Sequence, residues 1–162
     1  MKPLEHLKEL LKAEKRLKYP SLPEHAVTVN TFDTMKPEKR EKKRIEAFLN
    51  ASGNYGSIIE NRGQRLDNRK TVTDVLGRQK VIGSVEFIGS GMRKGIADIK
   101  ATIRGRSIDI ELKRIYKNGR DRQSEEQKRE QELIERAGGE YWIVSSFDDF
   151  YEKYKKYIEE FL

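Results

Sequence analysis

From Ile96 to Lys113 the chain alternates apolar and polar residues with a single two-residue interruption, and this run limits the possible folds more than any other. Ala97, Ile99, Ala101 and Ile103 share one parity, while Asp98, Lys100 and Thr102 take the other. After Arg104-Gly105, Ile108, Ile110 and Leu112 alternate with Asp109, Glu111 and Lys113. A period of two belongs to a half-buried strand, so Glu111 and Lys113 share a face. Two such runs this close predict an antiparallel hairpin, and their apolar faces coincide only across an even number of loop residues. A two-residue loop at Arg104-Gly105 meets that condition and sets Asp98 opposite Glu111, with roughly 5 Å between Cβ atoms. The turn is the weak point. It asks for φ > 0 at an arginine, and a three-residue bulged loop would shift the register by one and undo the matching of faces.

Two carboxylates facing each other destabilise a sheet. The pair makes sense around a divalent cation, and oxygen ligands of this kind suit magnesium. Taken alone, an Asp-x-Glu-x-Lys strand face is that of a solvated sheet surface. Two neighbours change its meaning. Gly89-Ser90-Gly91-Met92-Arg93-Lys94-Gly95 leads directly into Asp98, with glycines that let backbone approach a phosphate and with Arg93 and Lys94 adding charge. It is not a Walker A loop, because no Gly-Lys-Ser/Thr and no helix follow. Downstream, Ser124-Glu125-Glu126-Gln127 opens a helical pattern as a capping box, in which Ser124 and Gln127 each satisfy a backbone N–H of the other.

Gly95-Ile96-Ala97-Asp98, Glu111-Leu112-Lys113 and Ser124-Glu125-Glu126-Gln127, in this order and spacing, resemble the VRR-NUC family of the PD-(D/E)XK nuclease superfamily, in particular its small stand-alone phage and bacterial members. The resemblance runs from about Lys36 to Phe150 and takes in Asn61-Arg62-Gly63 and Val144-Ser145-Ser146-Phe147-Asp148-Asp149. Ala97 departs from it, since the family more often carries proline before the aspartate. The resemblance implies an α/β fold with a PD-(D/E)XK core, a central mixed β-sheet flanked by helices. It further implies Mg2+- or Mn2+-dependent hydrolysis of DNA phosphodiester bonds, often in branched structures. Asp98 and Glu111 would hold the metal, Lys113 would orient or help deprotonate water and offset charge on the phosphate, and Gln127 would support it. The family's site is often completed by a glutamate from a preceding helix. Glu38 or Glu41 can serve, with Glu38 preferred, although acids just after Pro37 also suit an ordinary first turn of a helix.

Composition sets limits consistent with this. Thirty-four Lys and Arg against twenty-seven Asp and Glu leave a formal charge of +7, which suits a polyanionic partner and salt-sensitive binding. Arg62, Arg93, Lys94 and Arg114 are the candidate nucleic-acid contacts. The absence of cysteine excludes disulfides, thiolate metal sites and a cysteine nucleophile. His6 and His25 lie far from the acidic cluster and read as surface residues. No apolar run approaches the length of a membrane span and no signal peptide precedes Met1-Lys2-Pro3-Leu4, so the expected setting is the cytoplasm, the host's if the chain is phage-encoded.

Leucines at 4, 7, 10, 11 and 17 recur at helical spacing. Residues 1–35 therefore read as a basic amphipathic helix and linker, and 36–162 as the nuclease-like domain. A helix is expected over 38–50, a glycine-dotted stretch of basic loops over 56–83 that includes a short strand at 57–60, and a basic loop over 114–123. A helix over 124–137, a strand over 140–144 and a closing aromatic-rich helix over 147–161 complete the pattern. The functional expectation is a metal-dependent endonuclease acting on a Holliday junction or other branched DNA. A junction resolvase should be a homodimer, since two symmetric cuts need two sites related by a two-fold axis. A catalytically inactive DNA-binding accessory protein of replication or recombination, and a non-specific or restriction-type nuclease, remain the alternatives.

Overall fold

The computed structural model describes residues 1–60, 64–89, 91, 93–116 and 119–161. Its elements are α1 (Pro3–Lys18), a 3-10 turn (Glu24–Ala26), α2 (Pro37–Ala51), β1 (Tyr55–Ile58), β2 (Gln64–Asp67), β3 (Lys70–Thr73), β4 (Gln79–Ile82), β5 (Val85–Ile88), β6 (Ile99–Ile103), β7 (Arg106–Leu112), β8 (Ile115–Tyr116), β9 (Gly119–Arg120), α3 (Glu125–Arg136), β10 (Glu140–Val144) and α4 (Phe147–Glu159).

The hairpin takes the register that parity demands. Ile99 pairs with Ile110, Lys100 with Asp109, Ala101 with Ile108 and Ile103 with Arg106, so one further step sets Asp98 against Glu111. The loop is the two-residue turn, with Arg104 at φ 52 and Gly105 at φ 80. Both values are those of a type I′ hairpin turn. Arg104 thus accepts the unfavourable left-handed backbone, because a loop longer by one residue would put the apolar faces out of step.

The sheet has the order β1-β6-β7-β10. β1, β6 and β7 run antiparallel, and β10 lies parallel to β7 with Tyr141 beside Asp109 and Ile143 beside Glu111. Helices cover both faces, which makes the fold mixed α/β. On the apolar face Ile99, Ala101, Ile103, Ile108, Ile110 and Leu112 meet Ile45, Phe48 and Leu49 of α2, Phe147, Phe150 and Tyr157 of α4, and Leu7 of α1. Phe48 is the hub, making edge-on ring contacts with Phe147, Phe150, Tyr151 and Tyr154. Each such fully buried side chain contributes about 1.5–3 kcal/mol. Leu7 shares this core, so α1 packs into the domain; Leu17 does not join it and is exposed. His6 is no ligand in this arrangement: its Nδ1 lies 2.9 Å from the Tyr151 hydroxyl.

Two expected loops are strands instead. Residues 64–88 form an exposed two-stranded ribbon in which β2 pairs with β5 and β3 with β4. Its side chains pack on no core, so the alternation that marks a strand is missing from the sequence. β8 and β9 likewise make a small hairpin within the stretch read as a loop after Lys113. Among the described residues no helix is long and apolar enough to cross a membrane.

Candidate metal-and-phosphate site

The polar face of β7 is not a solvated surface. Glu111 is 4% exposed and Lys113 7%. α3 lies over them, and its position is set by two local features. Ser124 caps the helix, its side chain accepting from the Gln127 N–H at 3.3 Å while Gln127 Oε1 accepts from the Ser124 N–H at 3.0 Å. Gly95, at φ +85, then brings the approach to β6 against the first turn of α3 so closely that an added Cβ would lie 2.4 Å from the Glu126 carbonyl oxygen and 2.9 Å from the Gln127 nitrogen. Only glycine fits this approach.

Gln127 consequently does more than cap. Its Nε2 donates to Glu111 Oε1 at 2.5 Å, and its Oε1 accepts from Lys113 Nζ at 2.8 Å. Lys113 Nζ also lies 3.1 Å from Glu111 Oε1. Glu111 of β7 and Lys113 just beyond it, both buried, are thereby locked into one network with the half-buried Gln127 of α3, and Tyr141 of β10 donates to Glu111 Oε2 at 3.4 Å. Burial, and then the negative charge of Asp98, push the Glu111 carboxyl above the usual range, against the pull of Lys113 and Gln127. Burial and the adjacent Glu111 charge raise the Tyr141 phenol as well, which keeps it a donor.

Asp98 sits at the entry to β6 and is fixed from three sides. Its Oδ2 accepts from the Leu112 N–H at 3.0 Å, and its carbonyl accepts from the Ile59 N–H at 2.8 Å. Its Oδ1 accepts from Lys42 Nζ at 2.6 Å. Lys42 in turn donates to Glu38 Oε1 at 2.9 Å, so one ammonium bridges two carboxylates. Desolvation works against that ammonium, but hydrogen bonds and charge from Asp98 and Glu38 outweigh it and raise the Lys42 pKa.

The two helix glutamates separate cleanly. Glu38 faces the site, its Oε2 accepting from Arg114 Nη2 at 2.9 Å. Glu41 points elsewhere, its Oε2 accepting from the Phe147 N–H at 2.8 Å at the start of α4, which is a capping role. No family model, curated protein or solved structure matches the chain.

Of the candidate phosphate contacts, Arg114 lines a groove of about 340 Å³ together with Lys36, Lys39, Lys42, Lys43 and Asp98. Arg93 reaches Glu130 on α3 at 3.3 Å, and Lys94 lies near Glu126. Arg62 falls outside the described residues. A hollow of about 490 Å³ at the Arg104-Gly105 end of the hairpin is lined by Asn54, Thr102 and Tyr154 and holds none of the acids.

Lys42, Tyr141 and the other α2 lysines join the site without having stood out in the sequence. Lys42 stands one turn after Glu38, a signal open to inspection. Tyr141 becomes a neighbour only through the parallel β7–β10 pairing.

Among the described residues no three His, Cys, Asp or Glu side chains are grouped tightly enough to form a metal site by themselves. The donor set nevertheless fits a hard cation. The β6–β7 register sets Asp98 across from Glu111, and the charge of Asp98 helps raise the Glu111 pKa. Lys42 bridging Asp98 and Glu38 marks where positive charge is stabilised.

Proposed function

We propose that the chain is a divalent-metal-dependent endonuclease that hydrolyses DNA phosphodiester bonds, with branched DNA such as the Holliday junction as its substrate and a homodimer as its working form. The observation that carries this reading is the Glu111–Lys113–Gln127 network, both of its charged members buried, set beside Asp98. Burying an acid and a lysine under a helix is costly, and so specific an arrangement next to Asp98, which itself lines the basic groove, suits chemistry on an anion. Asp98 and Glu111 would hold Mg2+ or Mn2+. When bound, the ion supplies Lewis-acid polarisation of the phosphate and neutralises its charge.

The chain's own residues do the rest. Gln127 and Glu111 hold the Lys113 ammonium in one place, so it is pre-organised to orient water toward the phosphorus and to offset the negative charge that grows as the P–O bond breaks. Lys36, Lys39, Lys43 and Arg114 line the groove as phosphate contacts. Glu38, tied to Arg114 and Lys42, positions both cations.

The competing reading, a DNA-binding accessory protein without catalysis, draws on Lys42, whose ammonium sits against Asp98 where a metal would compete. The test is to incubate the protein with labelled four-way junction, flap, duplex and single-stranded DNA in magnesium, in manganese and in EDTA. Paired symmetric nicks confined to the junction support the dimeric resolvase. Cutting of all substrates keeps the nuclease and removes the specificity, and binding without cutting in either metal selects the accessory protein.

A further inference from the structure

The exposed ribbon 64–88 contributes no residue to the buried core. β2–β5 and β3–β4 share one register, carried across the joint by the Asn68 N–H donating to the Ser84 carbonyl at 3.1 Å. At the joint Gly83, φ +96, lets the strands meet where a Cβ would lie 2.4 Å from the Asn68 carbonyl oxygen. Ten residues on the outgoing side, 64 to 73, give a reach of roughly 30 Å at about 3.3 Å per residue. Both ends are rooted beside the candidate site. The ribbon leaves after Ile59, whose N–H holds the Asp98 carbonyl, and returns through Gly95.

Its surface is specialised. At the tip the loop 74–78 is tied by Asp74 to the N–H groups of Leu76 and Arg78, which leaves Val75 and Leu76 exposed. Arg69 and Arg78 are neutralised within the ribbon by Asp67 and Asp74. Lys70 and Lys80, among the described residues, pair with no acid. The register sets Lys70 across from Ile82 and Lys80 across from Val72, so both lysines share one face of the inner hairpin, and Thr71, Thr73, Gln79 and Val81 share the other.

We propose that this ribbon is an arm that grips duplex DNA beside the cut site, with Lys70 and Lys80 on backbone phosphates and the apolar tip of Val75 and Leu76 lodged in a groove against the bases. The choice of DNA as ligand rests on the nuclease reading. The arrangement fits a polyanion better than a second copy of the chain. On the inner hairpin the two exposed aliphatics of the lysine face, Val72 and Ile82, each stand directly across from a lysine, and protein–protein interface cores are depleted in lysine. DNA accepts both kinds of group: phosphates bind cations, and grooves take two-stranded ribbons and apolar wedges.

The test measures binding of the full chain to duplex and junction DNA by fluorescence anisotropy in EDTA over a range of salt. Three double variants, Lys70→Ala/Lys80→Ala, Val75→Ser/Leu76→Ser and Thr71→Ala/Thr73→Ala, are compared with the wild type, and each is checked for mass by light scattering. The lysine variant is expected to bind roughly tenfold more weakly and to reduce the slope of log affinity against log salt by about two, one for each phosphate left without its lysine. The tip variant should weaken binding with the slope unchanged, and the threonine variant should bind as the wild type. Wild-type affinity in both the lysine and tip variants would overturn the arm, as would loss of a dimer in either of them. Arm-dependent binding by a protein that cuts nothing in magnesium or manganese sinks the nuclease and leaves the arm standing. Cutting at the wild-type rate with unaltered binding in both arm variants sinks the arm and leaves the nuclease.

Discussion

Lys42 Nζ lies 2.6 Å from Asp98 Oδ1 and 2.9 Å from Glu38 Oε1, so an internal cation already occupies the space that links the two acids. A divalent ion taken up by Asp98 competes with it for that carboxylate. Lys42→Met is therefore expected to tighten Mn2+ binding roughly tenfold, since a hydrogen bond to a charged group contributes about 1.5–3 kcal/mol. Calorimetric titration of the purified variant measures this, and unchanged or weaker binding would show that Lys42 does not compete with the metal.

Lys113 is held by Gln127 Oε1 and Glu111 Oε1. Lys113→Ala should lower the nicking rate by at least about a hundredfold while leaving junction affinity intact, the signature of a group used mainly in the transition state. Asp98→Asn should lower the rate by weakening the metal site. Nicking assays paired with anisotropy separate the two quantities; wild-type cutting by either variant refutes the site.

Glu38 and Glu41 are one helical turn apart and have different duties. Glu41→Ala should cost about 1 kcal/mol in urea unfolding, because the Phe147 N–H at the start of α4 is left without its acceptor. Its nicking rate should be that of the wild type. Glu38→Gln is expected to do the reverse, slowing nicking with little change in stability, since Glu38 is half exposed.

Gly95 joins the approach to β6 to the first turn of α3. Gly95→Ala combines a left-handed backbone with an overlap against Glu126 and Gln127. A loss of about 2–4 kcal/mol is expected in denaturant unfolding. The displaced α3 should also slacken the hold of Gln127 on Glu111 and Lys113, and with it the nicking rate. A variant as stable as the wild type would mean that this close approach is not maintained in solution.

Asp109 lies under α3 with its Oδ1 buried and unbonded, and Lys100, at 3.7 Å from Oδ2, offsets its charge. Burial raises its pKa, Lys100 opposes the rise and Glu130 adds to it. The folded protein thus holds this proton to higher pH than the unfolded chain. Stability from this group is present below the ordinary aspartate value and is lost as pH climbs through the raised folded value. Asp109→Asn should melt higher than the wild type at neutral pH, and the gain should shrink as pH falls toward the ordinary aspartate range. Thermal melts across that range decide it, and a variant that melts lower at neutral pH contradicts the assignment.

Much of this fold is written in local pattern. Alternation on either side of Arg104-Gly105 determines the β6–β7 register and with it the facing of Asp98 and Glu111, because side-chain parity leaves one pairing that buries both apolar faces. Ser124 and Gln127 announce their helix start, and Glu38, the glutamate preferred from the sequence, is the one that faces the site. These features depend on neighbours two to four residues away, or on a hairpin that parity alone aligns.

What the tertiary structure decided depends on groups remote in the chain. That α3 closes over Glu111 and Lys113 follows from Gly95 meeting Glu126 and Gln127, about thirty residues further along, so a face that reads as solvated is buried. Tyr141 reaches Glu111 only through a parallel pairing whose register no turn dictates. Lys42 reaches Asp98 only because α2 packs against the sheet. The ribbon 64–88 is illegible for the opposite reason. Apart from the half-buried Leu66 and Val85 its described side chains are exposed, and without a buried face a strand imprints no period on its sequence.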